Sequence, residues 1–214
     1  MKHEHILGLK RNKNYNFNQL DQGIFYVNPV DVIVGHREYL DNVNNIGDSS
    51  VLQAIGYGVI FHPKKGYLAY KRKGSESRLN DKISIGFGGH TSILDIVTLN
   101  DEEIDFFESV QNGLKRELSE ELIFNGISFG KSSNSEKLIQ SCIKNIEYKG
   151  QIVCNKTPVD LLHIGMVSIV TLGYCVSEVS LGDHGKELFW VDSLSDLDYN
   201  NCEEWTKILI DAKI

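Results

Sequence analysis

Arg116-Glu117-Leu118-Ser119-Glu120-Glu121 puts three carboxylates and one guanidinium into six consecutive residues. The stretch closes the best-marked helix of the chain, predicted over residues 102–122, in which Phe107, Val110, Leu114 and Leu118 recur at three- and four-residue spacing. At about 100° per residue, Glu117 and Glu121 share one face and Glu120 sits one turn from Glu117. Like charges at i,i+4 destabilise a helix by about 0.2–0.5 kcal/mol per pair. The helix C-terminus is also the end at which the macrodipole disfavours anions. A divalent cation reverses both penalties, because Mg²⁺ and Mn²⁺ take carboxylate and phosphate oxygens together.

A solvated acidic face is the plainer account of the same residues. Against it, Glu121 points within about 20° of Val110 and Leu114, at the border of the apolar stripe, where a carboxylate needs a partner. Arg116 has two readings: a surface partner for Glu120 at i+4, or a group that orients Glu117 or Glu120. Gly88-Gly89 ends the strand Ile83-Ser84-Ile85-Gly86-Phe87 ahead of the helix. Paired glycines let backbone approach a ligand, or make a plain turn.

Working outward, residues 4–9 and 23–34 read as short strands, with turn residues at 11–14 and a polar loop at 41–50. Residues 53–61 alternate as a buried strand, Pro63-Lys64-Lys65-Gly66 turns, and Tyr67-Leu68-Ala69-Tyr70 completes a hairpin. Residues 74–81 and 91–101 read as loops. Asn125-Gly126 reads as the helix stop. A short strand at 127–129, a weak helix at 135–143, strands at 146–154, 162–176 and 187–191, and a closing helix at 202–212 follow. Strands on both sides of a well-marked helix predict an α/β layered domain.

The chain of 214 residues is 41% apolar and 24% charged, enough for a core, and its 3 Pro mark no linker. A net charge of −7 with no long Lys/Arg run argues against a nucleic-acid polymer as partner. Cys142, Cys154, Cys175 and Cys202 form no C-x-x-C pair, and no run of 18 apolar residues occurs. Together these predict a cytoplasmic chain without a membrane partner, and leave a homodimer open.

Arg116 to Leu122 matches the R-E-U-x-E-E part of the Nudix box (U apolar), with Glu108 at the upstream position and Phe124 in the final apolar slot. Ile83 to His90 resembles the strand and Gly-Gly ahead of that box. Ala69 to Gly74, Glu76, Arg78-Leu79 and His163 to Val167 resemble a MutT-like group described as predicted phosphoesterases. The likeness spans roughly residues 50–195 and, faintly, 4–50. Ile123 and Glu102 stand where the box has glycine, and residues 91–103 look inserted.

The resemblance implies a Nudix fold, a mixed β-sheet sandwiched between helices (α/β/α) with a loop–helix–loop box. It implies a Nudix domain over 51–214 with an N-terminal extension, 1–50, packed on it as one structural unit. It further implies Mg²⁺ or Mn²⁺ held by Glu120 and Glu121, with Glu117 as ligand or water-orienting group and a carbonyl at Gly89 in the shell. Arg116 and Glu108 would stabilise the box. The implied reaction is attack of water on a small nucleotide-like diphosphate linked to another moiety. Arg72 and Arg78 are candidate phosphate contacts, and Glu178, Asp183 and Glu187 candidate general bases. Each of these five also reads as an ordinary surface residue. His90 and His163 read as hydrogen-bonded structural histidines. Two alternatives share the fold: a non-catalytic nucleotide or ADP-ribose sensor, and an isomerase that leaves the diphosphate intact.

Overall fold

A computed structural model describes residues 4–10, 23–25, 31–37, 51–72, 81–100, 103–128, 141–157, 159–181 and 187–214. In chain order the strands and helices are β1 (His5–Lys10), β2 (Gly23–Phe25), β3 (Val32–His36), β4 (Val51–His62), β5 (Gly66–Lys71), β6 (Ile83–Ser84), β7 (Gly86–Phe87), β8 (Val97–Asn100), β9 (Glu103–Asp105), α1 (Phe106–Glu121), β10 (Leu122–Phe124), β11 (Ile127–Ser128), β12 (Ile143–Val153), β13 (His163–Leu172), β14 (Val179–Leu181), β15 (Glu187–Val191) and α2 (Glu204–Asp211). The class is α/β, a mixed sheet with two α-helices among the described residues. The predicted boundary at residue 50, the turn at 11–14, the loop at 41–50 and most of the helix at 135–143 lie outside them.

The backbone packs as two units. The first comprises Met1–Gly56, Gly89–Lys115 and Gly150–Met166. There β1 pairs antiparallel with β3 (Leu7 opposite Val34) and with the start of β4 (Gly8 opposite Gln53). β2 pairs with the end of β12 (Ile152 opposite Ile24). Its core includes Ile6, Leu7, Leu9, Leu52, Phe106, Val110, Leu114, Ile152 and Ile164, all buried. Strand β4 and helix α1 approach closely at Gly56. A Cβ there would lie 3.0 Å from Leu114 Cβ and 3.2 Å from its Cα, so any larger residue requires the helix to give by a few tenths of an ångström.

The helix starts at Phe106 and not at residue 102, because Glu103–Asp105 pair with β8 (Thr98 opposite Ile104). Asp105 then caps the helix, its Oδ1 accepting from the Glu108 N–H at 3.0 Å. The segment read as a loop at 91–101 therefore holds a capped 3₁₀ turn at Ile93–Asp95 and one arm of a hairpin. Ser109 ties this insertion to α1, accepting from Val97 N at 2.9 Å. Phe107, assigned to the apolar stripe, is 37% exposed; Phe106 takes the buried position.

The second unit comprises Tyr57–Gly88, Arg116–Lys149 and Val167–Ile214. There β5 pairs antiparallel with β15 (Ala69 opposite Phe189) and with the end of β4 (Phe61 opposite Tyr67), the predicted hairpin. β7 pairs with β4 and β6 with β5. A separate small sheet orders β11-β10-β14. Asn125-Gly126 is not the helix stop. With φ of 52° and 74° it is the two-residue turn of the β10–β11 hairpin, a turn that needs left-handed backbone at both positions. The chain passes from Glu121 straight into β10, so no capping glycine is required and Ile123, opposite Ser180 and Ser128, occupies a strand position. The strand expected over 162–176 ends at Leu172, and β14 lies in a stretch given no element.

His62, at the end of β4, is buried against the Trp190 and Tyr174 rings at 5.9 and 6.5 Å. Burial lowers its pKa, and the charges of Lys65 and Lys64 on the adjoining turn lower it further.

Two outcomes follow. Gly56→Val should destabilise the protein by about 1–3 kcal/mol in denaturant titration, because the helix backbone must move. For His62, the folded-state pKa lies below the ordinary 6.5, so the unfolded chain binds the proton first. Its contribution is present above pH 6.5 and is lost as pH falls from there through the lowered folded value. Unfolding free energies measured at pH 7.5 and pH 5 should differ less in His62→Phe than in the wild type.

Candidate active site

Helix α1 delivers the acidic cluster through its own periodicity. Leu118, in the last turns, and Leu122, which opens β10, are buried, while Glu117 and Glu121 are half-buried and Glu120 is exposed. Arg116 Nη1 donates to Glu117 Oε1 at 2.7 Å and lies 3.8 Å from Glu120 Oε1. Side-chain exposures of 26% for Arg116, 21% for Glu117 and 38% for Glu120 place the pair with Glu117 in a partly dried setting. Arg116 is thus hydrogen-bonded to Glu117 and lies within ion-pair distance of Glu120 at i+4.

Burial raises the pKa of Glu117. Arg116 opposes the rise through charge and hydrogen bond, while Glu121 and then Glu120 add to it. The three carboxylates thus sit close enough to repel. Carboxylate oxygens are hard donors, the kind that Mg²⁺ and Mn²⁺ take. Among the described residues, however, no group of three His, Cys, Asp or Glu side chains is already drawn together tightly enough to hold a metal.

The other candidates distribute as follows. Glu108 is exposed in the first turn of α1. Gly88 has φ of 129°, and the Gly89 carbonyl accepts from Gly56 N at 2.9 Å, which uses one of its two lone pairs. His90 Nε2 bonds Gln53 Oε1 at 2.7 Å and His163 Nδ1 bonds the Val159 carbonyl at 2.8 Å. Burial, Arg37 and His163 push the His90 pKa down to about 3, so it is neutral. Glu187 forms an exposed pair with Lys71 at 3.5 Å. Arg78 and Asp183 lie outside the described residues.

Glu178 is exposed, but its backbone is held by Asn125, which the sequence marked only as a helix stop. Asn125 Oδ1 accepts from Ser177 N (2.8 Å), Ser177 Oγ (3.0 Å) and Glu178 N (3.1 Å), and its Nδ2 donates to the Cys175 carbonyl at 2.9 Å. The loop carrying Glu178 is thereby fastened to the hairpin that follows the box.

Arg72 meets a second residue that escaped notice. Its Nη1 lies 3.1 Å from Oε2 of Glu203, a buried carboxylate whose Oε1 accepts from Ser84 Oγ at 2.6 Å and Tyr57 OH at 3.2 Å. Glu203 precedes α2, where an acidic residue usually serves the helix N-terminus; nothing local in the sequence signals burial.

No protein-family model matches the chain. Protein YmaB of Bacillus subtilis (strain 168) is 28% identical over 169 residues, covering 77% of this chain and 72% of that protein. The crystal structure of Tm1382, provisionally named a Nudix hydrolase, aligns with a TM-score of 0.65 at 21% identity, over 98% of this chain and 97% of that one. This chain has the Nudix fold. The MutT protein from Methanosarcina mazei Go1 aligns with a TM-score of 0.44 at 19% identity, over 75% of this chain and 91% of that one. No helix among the described residues is long and apolar enough to cross a membrane.

Asn125→Gly keeps the left-handed backbone and deletes four side-chain hydrogen bonds. Amide hydrogen exchange at Ser177 and Glu178 should accelerate at least about tenfold, the equivalent of about 1.4 kcal/mol of local stability. Exchange within α1 should stay as in the wild type.

Proposed function

We propose that the chain is a metal-dependent Nudix hydrolase that cleaves the phosphoanhydride bond of a nucleoside diphosphate linked to another moiety. The observation that carries the reading is the placing of Glu117, Glu120 and Glu121 at the end of one partly buried helix, with Arg116 2.7 Å from Glu117 and 3.8 Å from Glu120. Glu120 and Glu121 would hold Mg²⁺ or Mn²⁺, with Glu117 either as a further ligand or as the group that orients the attacking water. When bound, such an ion neutralises charge that develops on the phosphate oxygens and makes water a better nucleophile near neutral pH.

The chain's own residues supply the rest. Arg116 fixes the Glu117 carboxylate by bonding Oε1, which holds it in one orientation toward an attacking water. Burial makes that carboxylate more basic than usual, the direction that suits accepting a proton from water. Water attacks phosphorus, the bridging P–O bond breaks, and the products are two phosphorylated fragments. Glu178, on its fastened loop, is a second candidate base. The extension over residues 1–50 would contribute to substrate choice.

The sensor reading keeps one observation on its side: the three carboxylates are not gathered into a ready metal cluster among the described residues. Tight binding of ADP-ribose or a nucleotide sugar, with no cleavage in either metal, would favour it.

A panel of nucleoside triphosphates, dinucleoside polyphosphates, ADP-ribose and nucleotide sugars, each with Mg²⁺ and with Mn²⁺, should reveal turnover that a chelator abolishes. Glu120→Gln should lower kcat by at least about 10²-fold with an unchanged circular dichroism spectrum. Full activity in that variant would overturn the assignment.

A further inference from the structure

Two of the four cysteines, far apart in sequence, are brought to one spot by the backbone. Cys142 immediately precedes β12, and Cys175 lies just past the end of β13. The Gly173 N–H donates to the Cys142 carbonyl at 2.8 Å, joining the residue ahead of one strand to the residue that follows the other. Backbone that meets in this opposed sense sends the side chains of facing residues to the same side. Gly173 has no side chain to place there, and the Cys175 thiol occupies the space instead. Cys175 Sγ is the nearest atom to the point a Gly173 Cβ would take, at 3.3 Å, and the Cys142 carbonyl lies 3.6 Å from the same point. A turn closed by the Val176 N–H on the Gly173 carbonyl at 3.1 Å folds Cys175 back to this position. Its Sγ also lies 3.7 Å from the carbonyl of Ser141, the residue next to Cys142.

Both thiols are free, and they differ in access: Cys175 is exposed and Cys142 half-buried. Burial pushes the Cys142 thiol up, against a lowering by its bond to Ser141. Cys175 is therefore the group that meets a dissolved oxidant, and Cys142 the neighbour placed to resolve the product. Cys154 and Cys202 are buried, and Cys202 Sγ donates to the Asp198 carbonyl at 3.3 Å. The Cys175 carbonyl accepts from Asn125 Nδ2 at 2.9 Å, and Asn125 Oδ1 holds the N–H groups of Ser177 and Glu178. The loop that carries Glu178 is thus tied to the β10–β11 hairpin, while towards β12 only weak bonds at Gly173 and Cys175 hold it.

We propose that Cys142 and Cys175 are a redox pair that closes to a reversible disulfide under peroxide and locks the 173–178 loop to the start of β12. The Cys175 thiolate attacks one oxygen of hydrogen peroxide, the O–O bond breaks, and hydroxide leaves a sulfenic acid on Cys175. The Cys142 thiolate then attacks that sulfur, the S–O bond breaks, and the S–S bond forms as a second hydroxide leaves. The two hydroxides take up the two thiol protons. Two thiols and one peroxide thus give one disulfide and two waters, with the sulfurs oxidised by two electrons and the peroxide reduced by two. The pair closes in this way whether or not the chain is a hydrolase.

The test uses the full chain, reduced, treated with hydrogen peroxide, quenched with catalase, and alkylated after denaturation. The expected product is a monomer with two alkylated thiols in place of four. Peptide mapping should join Cys142 to Cys175, and dithiothreitol should restore all four thiols. Amide exchange at Ser177 and Glu178 should slow by about tenfold or more in the oxidised chain, with exchange in α1 as in the reduced one. Cys142→Ser and Cys175→Ser should each abolish the link, and Cys154→Ala should keep it. Four alkylatable thiols after treatment, a link between two chains, or a link to Cys154 or Cys202 overturns the pairing. So does a Cys175 sulfinic acid beside an unreacted Cys142 thiol. A Cys142–Cys175 link that leaves exchange at Ser177 and Glu178 unchanged overturns the lock. Should a serine variant not fold, the peptide map of the wild type decides the pairing alone.

Discussion

Repulsion among three carboxylates at the end of one helix is the constraint around which this part of the chain is built. The helix cannot relieve it by rotation, because Leu118 is buried and the chain passes directly into β10 at Leu122. Nor can it relieve it by full hydration, because Glu117 is largely removed from water and its pKa rises for that reason first. One guanidinium, Arg116, reaches two of the three acids.

The chain beyond the helix is organised to keep that end in place. The direct passage from Glu121 into β10 means that the last turn is anchored by strand pairing and not by a flexible cap. Asn125 then ties the 175–178 loop to the hairpin through four side-chain bonds. Ile123, where glycine is usual, fits because a β-branched residue favours the strand conformation adopted here.

Legibility in the sequence followed the reach of each signal. Periodicity made α1, the 61–67 hairpin and β15 readable, because a buried stripe or an alternating face is written in local spacing. The start of α1 was misplaced, although Asp105 and Glu108 stand three apart as a cap and its partner. Residues 103–105 pair with β8 instead, a contact that the helical spacing downstream does not reveal. Asn125-Gly126 was ambiguous by nature: the same left-handed preference serves a helix stop and a hairpin turn, and only pairing across Phe124 and Ile127 decides between them. The acidic cluster was readable because its members are adjacent. Glu203 was not, because its three donors lie 119, 131 and 146 residues away, and a long-range contact leaves no mark on local spacing.

The two acidic environments of the second unit resolve the same problem in opposite ways. Glu203 is matched by one cation and two neutral donors, so its charge is met within the fold and no further ligand is called for. Arg116, Glu117, Glu120 and Glu121 carry one positive and three negative formal charges, a net −2. On this contrast, Glu203 is a charge settled inside the fold, whereas the helix end stays partly open to water and is the part of the second unit on which the proposed metal-dependent reading rests.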